Sequence, residues 1–343
     1  MIQQNSNENV NRKVKAVGLI SGGLDSTVAA KIVKDLGVEV HGLFFAMPWG
    51  CCDKAQAQSA ADRLEIPLVI LQLDERYLKV VENPKYGYGR ALNPCVDCRI
   101  HMFTRAGQYM ESIGADFVFT GEVLGQRPMS QLRHSMKWIE DGSGLQGRLL
   151  RPLCAKLLDP TLPEIEGLID REKLLRISGR SRKDQKNLAH QSGITDYPNS
   201  AGGCMLTHEH FAQKMRDIFK FGYRSFRETI SLKWGRHFRI NEHFKVILGR
   251  DETENGMLVQ YAHQDDHIFE LKTQDGPMLI LKGYNPTQDI LETAAGLVQR
   301  FSRYKEGEPV EVKYWPVKNP EDVRSVFGQS INEEHLQKIA IAQ

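Results

Sequence analysis

The chain is 343 residues long, 41% hydrophobic and 26% charged, with a net charge of only +2. That composition is ordinary for a globular protein of two domains, or three small ones. No apolar run approaches the roughly 20 residues of a membrane span, and the polar stretch Met1 to Asn11 lacks a signal core, so the sequence implies a cytoplasmic protein with no membrane partner. The charge is uneven: residues 171–250 carry 17 Lys and Arg against 7 Asp and Glu, or +10. A basic middle on a nearly neutral chain suits a polyanion.

The first structured stretch is an apolar run (Val14, Ala16, Val17, Leu19, Ile20) that reads as a buried strand. Apolar residues at Val28, Ala29, Ile32, Val33 and Leu36 then recur at helical spacing. Between them, Ser21-Gly22-Gly23-Leu24-Asp25-Ser26-Thr27 forms a Gly-rich turn into the helix. Paired glycines let backbone approach an anion, and the first N–H groups of a helix, at its positive dipole end, favour a phosphate. Ser21, Ser26 and Thr27 add hydroxyl donors. The Gly-Lys-Ser/Thr ending of a Walker loop is absent.

Further strands are predicted at Val38 to Met47, Pro67 to Asp74, Asp116 to Thr120 and Arg148 to Leu153, with a helix from Asp53 to Leu64. Strands alternating with helices predict an α/β fold, a doubly wound parallel sheet, with its ligand beyond the carboxyl ends of the strands. The Gly-rich turn, Phe45–Met47, Asp74 and Thr120-Gly121-Glu122 project there. From Pro160 the pattern becomes helical (Pro163 to Leu175, Ser181 to His190, His208 to Phe221). From about Ser231 it changes to short strands (Phe244–Leu248, Met257–Gln260, Met278–Leu281) with turns at Asn255-Gly256 and Asp275-Gly276. A helix from Asp289 to Phe301 and a strand from Pro309 to Tyr314 complete a smaller α+β domain.

Asn93-Pro94-Cys95-Val96-Asp97-Cys98 is a CxxC at the start of a helix, and Cys204 sits in a Gly-Gly-Cys loop. In a cytoplasmic chain such thiols are more often ligands or catalysts than disulfides. Cys95, Cys98 and Cys204 are compatible with an iron–sulfur cluster that leaves one iron open, with a persulfide relay, or with zinc completed by His208 or His210. Spacing alone does not choose among them. Cys51 and Cys52 are read as bystanders and Cys154 as core.

Together SGGLDS, the NPCVDC block and its helix, Thr120-Gly121-Glu122 and GGCMLT resemble the PP-loop tRNA thiolation enzymes, the 2-thiouridylases and 4-thiouridine synthetases. The resemblance covers roughly residues 13–210. It implies ATP and Mg²⁺ held by Ser21, Gly22, Gly23, Asp25, Ser26 and Thr27, with Phe45, Met47, Thr120 and Gly121 lining the nucleotide site. Members with a CxxC and a third cysteine carry a [4Fe-4S] cluster, here on Cys95, Cys98 and Cys204. With Asp25 these three are the expected catalytic residues. The implied partners are tRNA and a sulfur donor, free sulfide or a cysteine desulfurase; Arg180, Arg182, Lys183 and Lys186 are candidates for gripping tRNA phosphates.

Residues 231–320 resemble the small RNA-binding domain of the NFACT proteins, through Gly249-Arg250-Asp251, Glu254-Asn255, Asp265-Asp266, Ala294-Ala295 and Phe301-Ser302-Arg303-Tyr304. Phe269 is followed by Glu270, where that family generally has His. The expected layout is a disordered 1–12, a PP-loop domain at 13–205, a basic helical linker at 206–230, the RNA-binding domain at 231–320 and a tail at 321–343. The expected activity is an ATP-dependent tRNA sulfurtransferase. A PP-loop enzyme acting on a small acceptor and an RNA-binding adaptor with a vestigial nucleotide site are the alternatives.

Overall fold

The computed structural model describes residues 12–50, 53–198, 203–222, 225–273, 276–304, 308–328 and 331–342. Cys51, Cys52 and most of the segment expected to be disordered therefore lie outside the described residues. The chain divides into two compact units, Met1–Cys204 and Met205–Gln343.

The first unit runs β1 (Lys15–Leu19), α1 (Leu24–Asp35), β2 (Glu39–Ala46), α2 (Lys54–Arg63), β3 (Leu68–Gln72), α3 (Glu75–Glu82), α4 (Cys95–Ser112), β4 (Phe117–Phe119), α5 (Arg133–Ser143), β5 (Leu149–Leu150), α6 (Leu162–Ile165) and α7 (Lys183–Gln191). Its five strands lie in the order β3-β2-β1-β4-β5, and every pairing is parallel. The predicted sheet is thus borne out. Each strand is nearly all apolar because both faces are covered. Val28, Val33 and Ala189 of α1 and α7 pack on one face, and Val96, Phe103, Met110 and Ile139 of α4 and α5 on the other. The winding reverses at β1, which pairs β2 on one side and β4 on the other. A crevice opens beyond the carboxyl ends at such a reversal.

One expected helix, Pro163 to Leu175, is broken. α6 stops at Ile165, Gly167 takes a positive φ of 72°, and only a 3-10 turn at Arg171–Lys173 follows.

The second unit runs α8 (Glu209–Phe221), β6 (Arg236–Arg239), β7 (Lys245–Leu248), α9 (Glu252–Gln260), β8 (His267–Leu271), β9 (Leu279–Lys282), α10 (Gln288–Arg300), β10 (Val310–Pro316), β11 (Arg324–Gly328) and α11 (Glu333–Ile339). Its six strands form a separate sheet, β11-β10-β8-β9-β7-β6, antiparallel throughout. Three expectations need correction. Met257–Gln260 is not a strand but the end of α9, whose start is fixed by the Asp251 carboxylate accepting from Glu254 N at 2.9 Å. Residues 209–221 are no mere linker: Asp217 of α8 accepts from Arg239 and Lys245 within this unit. Residues 321–343 are no tail, since β11 pairs with β10, and Val326, Ile331 and Ile339 join the apolar core.

Candidate active site

Ile20 N donates to Leu43 O at 2.9 Å, so the sheet continues to the edge of the Gly-rich turn. Gly22 then adopts a φ of +75°. A Cβ there would lie 2.5 Å from the Gln56 carbonyl carbon and 2.6 Å from Ala57 N. Only glycine lets α2 approach so closely and still make the left-handed step. Gly23 caps α1 with no side-chain hydrogen bond to the helix's first N–H groups, which leaves them available to an anion. The serines shape the turn: Ser21 Oγ and Ser26 Oγ are 3.0 Å apart, and Ser26 Oγ and Thr27 Oγ1 donate to Gly23 O at 3.0 and 2.9 Å. From β4, Thr120 and Gly121 close the other wall. A Cβ on Gly121 would sit 2.5 Å from Asp25 C and Ser26 N. Phe45 lies one residue before the end of β2, half-buried against the core, and Met47 lies just beyond the strand, also half-buried.

Asp25 stands in the first turn of α1. Its Oδ2 accepts from Gln126 Nε2 at 3.2 Å and pairs with Arg182 at 3.4 Å. Its Oδ1 is buried with no hydrogen-bond partner among the described residues. Burial raises the carboxyl above its usual pKa, opposed by the Arg182 guanidinium and the Gln126 amide. The open oxygen and the bare backbone turn fit a nucleotide's phosphates with their metal. Arg182, expected on the RNA-gripping surface, is instead drawn in beside Asp25. Arg180, Lys183 and Lys186 are exposed.

Cys95 opens α4, and Cys98 N donates back to Pro94 O at 2.8 Å. Asn93 Nδ2 donates to Cys95 Sγ at 3.0 Å, and Tyr77 Oη to Cys98 Sγ at 3.2 Å. Cys204 Sγ lies 3.8 Å from Trp49 O, and the Trp49 ring stacks on Tyr77 with centroids 6.3 Å apart. Tyr77 is only 1% exposed. Burial first, then the neighbouring Cys98 and Cys204, pushes its phenol well above the usual range, with a smaller contribution from Cys95. Tyr77 thus meets Cys98 directly, while its ring stacks on Trp49, whose carbonyl lies beside Cys204. Among the described residues no group of three His, Cys, Asp or Glu is arranged to hold a single metal ion. The Asp97 carboxylate between the cysteines accepts from Lys85 N and Tyr86 N at 2.9 and 3.0 Å, pinning the preceding loop. Cys154 behaves as core: it is fully buried, and burial pushes its thiol up to about 11.

Glu122 is a buried acid held between two arginines. It is 3% exposed, follows Thr120-Gly121 and pairs with Arg151 at 3.2 Å and with Arg99, next to Cys98, at 3.4 Å. Trp49, Tyr77, Gln126 and Arg99 carried no signal in the sequence beyond their nearness to motifs. Asn93 and Glu122 stood inside quoted motifs without an assigned role.

Two family models match the chain, a tRNA methyl transferase HUP domain over residues 14–143 and an NFACT protein RNA binding domain over residues 235–338. The tRNA-specific 2-thiouridylase MnmA of Marinobacter nauticus is 26% identical over 318 residues, covering 86% of this chain and 75% of that protein. MnmA of Clostridium botulinum is 33% identical over 127 residues, 32% of this chain, and the alignment spans only 35% of that protein's length. A solved 4-thiouridine synthetase, in complex with RNA and bound ATP, aligns with a TM-score of 0.37 and 21% identity, over 59% of this chain and 50% of that one. The sheet and its loop define a HUP-type domain. The chain as a whole resembles the PP-loop tRNA thiolation enzymes, with an NFACT-type RNA-binding domain following.

Proposed function

We propose that the protein is a tRNA sulfurtransferase that uses ATP to adenylate a base carbonyl oxygen and replaces that oxygen with sulfur. The observation that carries this reading is that the Gly-rich turn and the three cysteines lie in one unit, with Gly121 packed on the turn and its neighbour Glu122 paired with Arg99, next to Cys98. ATP fits with its pyrophosphate on the Gly22–Gly23 turn, where the α1 N–H groups and the Ser21 and Ser26 hydroxyls neutralise charge. The open oxygen of Asp25 suits Mg²⁺, and Arg182 beside it takes up phosphate charge as it builds on the leaving group. Cys95, Cys98 and Cys204 would hold a [4Fe-4S] cluster, which would present sulfide from the sulfur donor to the activated carbon, the displaced oxygen leaving with AMP. Tyr77 and Asn93 hold Cys98 and Cys95 in place by hydrogen bonds and exclude water from the inner side. The substrate base must leave its stack to enter the crevice, and the exposed Arg180, Lys183 and Lys186 offer phosphate contacts beside it. The NFACT-type unit would supply a second hold on the RNA.

The test is the anaerobically purified protein, its iron content and its AMP release. About four irons per chain, and AMP release stimulated by tRNA, are expected. Cys204→Ala should lose the iron and the thiolation, and Cys154→Ala neither. A single zinc with no iron would overturn the cluster; AMP release indifferent to tRNA would overturn the RNA substrate in favour of a small acceptor.

A further inference from the structure

A second cationic feature of the N-terminal unit is not used by the site described above. α3 and α4 pack together and leave between them a groove of about 460 Å³. Arg76, Lys79 and Asn83 line it from one stripe of α3, and His101, Arg105 and Gln108 from one stripe of α4. Spacings of three, four and seven residues put each set on a single helix face. The opposite stripe of α4, with Val96, Phe103 and Met110, is the one buried in the core. Lys85 adds a further cation to the groove wall.

The lining holds four Lys or Arg against one acid, Asp97, and that acid is already occupied by the backbone of Lys85 and Tyr86. Arg76 is tied to Asp74 by a 2.6 Å pair, whereas Lys79 and Lys85 stand exposed. Two polar atoms of the lining are the second observation. His101 Nε2 and Arg105 Nη1 are both buried and lack hydrogen-bond partners among the described residues. Arg105 Nη1 makes only a 3.7 Å ion pair with Asp74, the carboxylate that also holds Arg76. A buried donor left unmade, such as Arg105 Nη1, costs about 1–3 kcal/mol, and His101 Nε2 beside it donates as well in one of its tautomers, so the groove offers an acceptor a place among its cations. A mere solvated helix face does not explain their burial.

We infer that this groove binds the phosphate backbone of the RNA substrate. From Arg76 to Asn83 the stripe is about 10 Å long at 1.5 Å per residue. That exceeds one isolated phosphate and suits successive phosphates of a strand. The His101 ring also packs against Tyr77 at 5.7 Å, and Tyr77 holds Cys98, so RNA in the groove lies one ring behind the cysteine site. The inference rests on the tRNA reading proposed above.

The test uses the full-length protein, with filter binding of tRNA across a range of KCl concentrations. Lys79→Glu with Lys85→Glu should weaken tRNA binding at least tenfold. It should also lower the slope against log salt by about 1.4–1.8, from two contacts at 0.7–0.9 each. Lys79→Arg with Lys85→Arg should stay within twofold of the wild type, as should Lys137→Glu with Lys31→Glu, an equal change of net charge on α5 and α1. Because the two lysines are exposed, ATP binding should survive in every variant. If the reversed variant binds tRNA with unchanged affinity and slope and still thiolates it, the groove is not an RNA site, and the activity stands. A variant that loses competition by inorganic phosphate but keeps tRNA affinity has lost a small-anion site, which also overturns the inference. If the wild type binds no tRNA, the inference and the activity fall together.

Discussion

Gly22 and Asp25 set the sharpest expectations at the scale of single residues. Gly22→Ala combines a φ of +75° with a Cβ 2.5 Å from backbone. The strain alone should cost about 1–3 kcal/mol. Thermal unfolding should show that loss, and equilibrium dialysis should show ATP binding abolished, because α2 must move away from the turn. Asp25→Asn should act the other way on stability. Burial raises the native carboxyl's pKa above its unfolded value, so the buried charge is a burden above the native pKa. The amide removes it. The variant should melt higher than the wild type at pH 7 without nucleotide, and this advantage should fade as pH falls through the native pKa toward about 4, where the unfolded carboxyl also protonates. AMP formation should meanwhile be lost. A variant less stable at pH 7 would mean that Arg182 and Gln126 outweigh the burial. The SGG turn and the CxxC were legible because they break a periodic pattern with glycine and cysteine. Tyr77 and Trp49 were not, since a buried aromatic in a sequence reads as core until its hydroxyl or carbonyl is seen to meet a thiol.

Among whole elements, the parallel strands were legible because each is a short apolar run bounded by turn residues. α9 was misread because Met257 to Gln260 is four residues long, too short for periodicity to tell strand from helix. The decisive signal was the Asp251 cap six residues earlier. β11 was missed because only alternate residues, Val326 and Gly328, are buried on an edge strand. α8 was taken for a linker because its charges looked solvated, whereas they converge inward on β6 and β7. Lys245 is fully buried against Asp217 and Arg239, and Lys214 donates to Leu232 O and Gly235 O. Burial lowers both amines to about 8, for Lys245 against the pull of Asp217 and for Lys214 with Lys245 and Arg250 adding to it. His237 beside them is lowered too, by burial first and then by Lys214 and Lys245, while Glu254 works against the shift at Lys214. A base whose native pKa is depressed binds fewer protons folded than unfolded, so stability rises with pH between the two values. The second unit should therefore become more stable between about pH 8 and 10.5. Hydrogen-exchange protection factors for peptides covering residues 236–248, corrected for intrinsic rates, should rise from pH 7 to pH 9.5. A fall would mean that the ion pairs to Asp217 outweigh the burial of the amines.

Across the whole molecule, two units of different architecture meet in one chain. The first has a parallel sheet with a Gly-rich turn and a cysteine, Cys98, hydrogen-bonded to a buried tyrosine; the second is an antiparallel sheet whose sequence matches an RNA-binding family over residues 235–338. The order of the units was legible in the change from alternating strand and helix to short strands near Ser231. Their extents were not, because residues 205–230 and 321–342 owe their places to contacts far along the chain. No helix among the described residues is long and apolar enough to cross a membrane. The central claim is that these parts serve sulfur transfer to tRNA. The most direct measurement is mass spectrometry of nucleosides from unmodified tRNA incubated anaerobically with the protein, ATP, Mg²⁺ and sulfide, with AMP measured alongside. A thiolated nucleoside should appear, accompanied by at least one AMP per sulfur inserted, and it should vanish with Asp25→Ala or Cys204→Ala. tRNA that remains unthiolated while the wild-type protein holds its iron and binds ATP would contradict the claim.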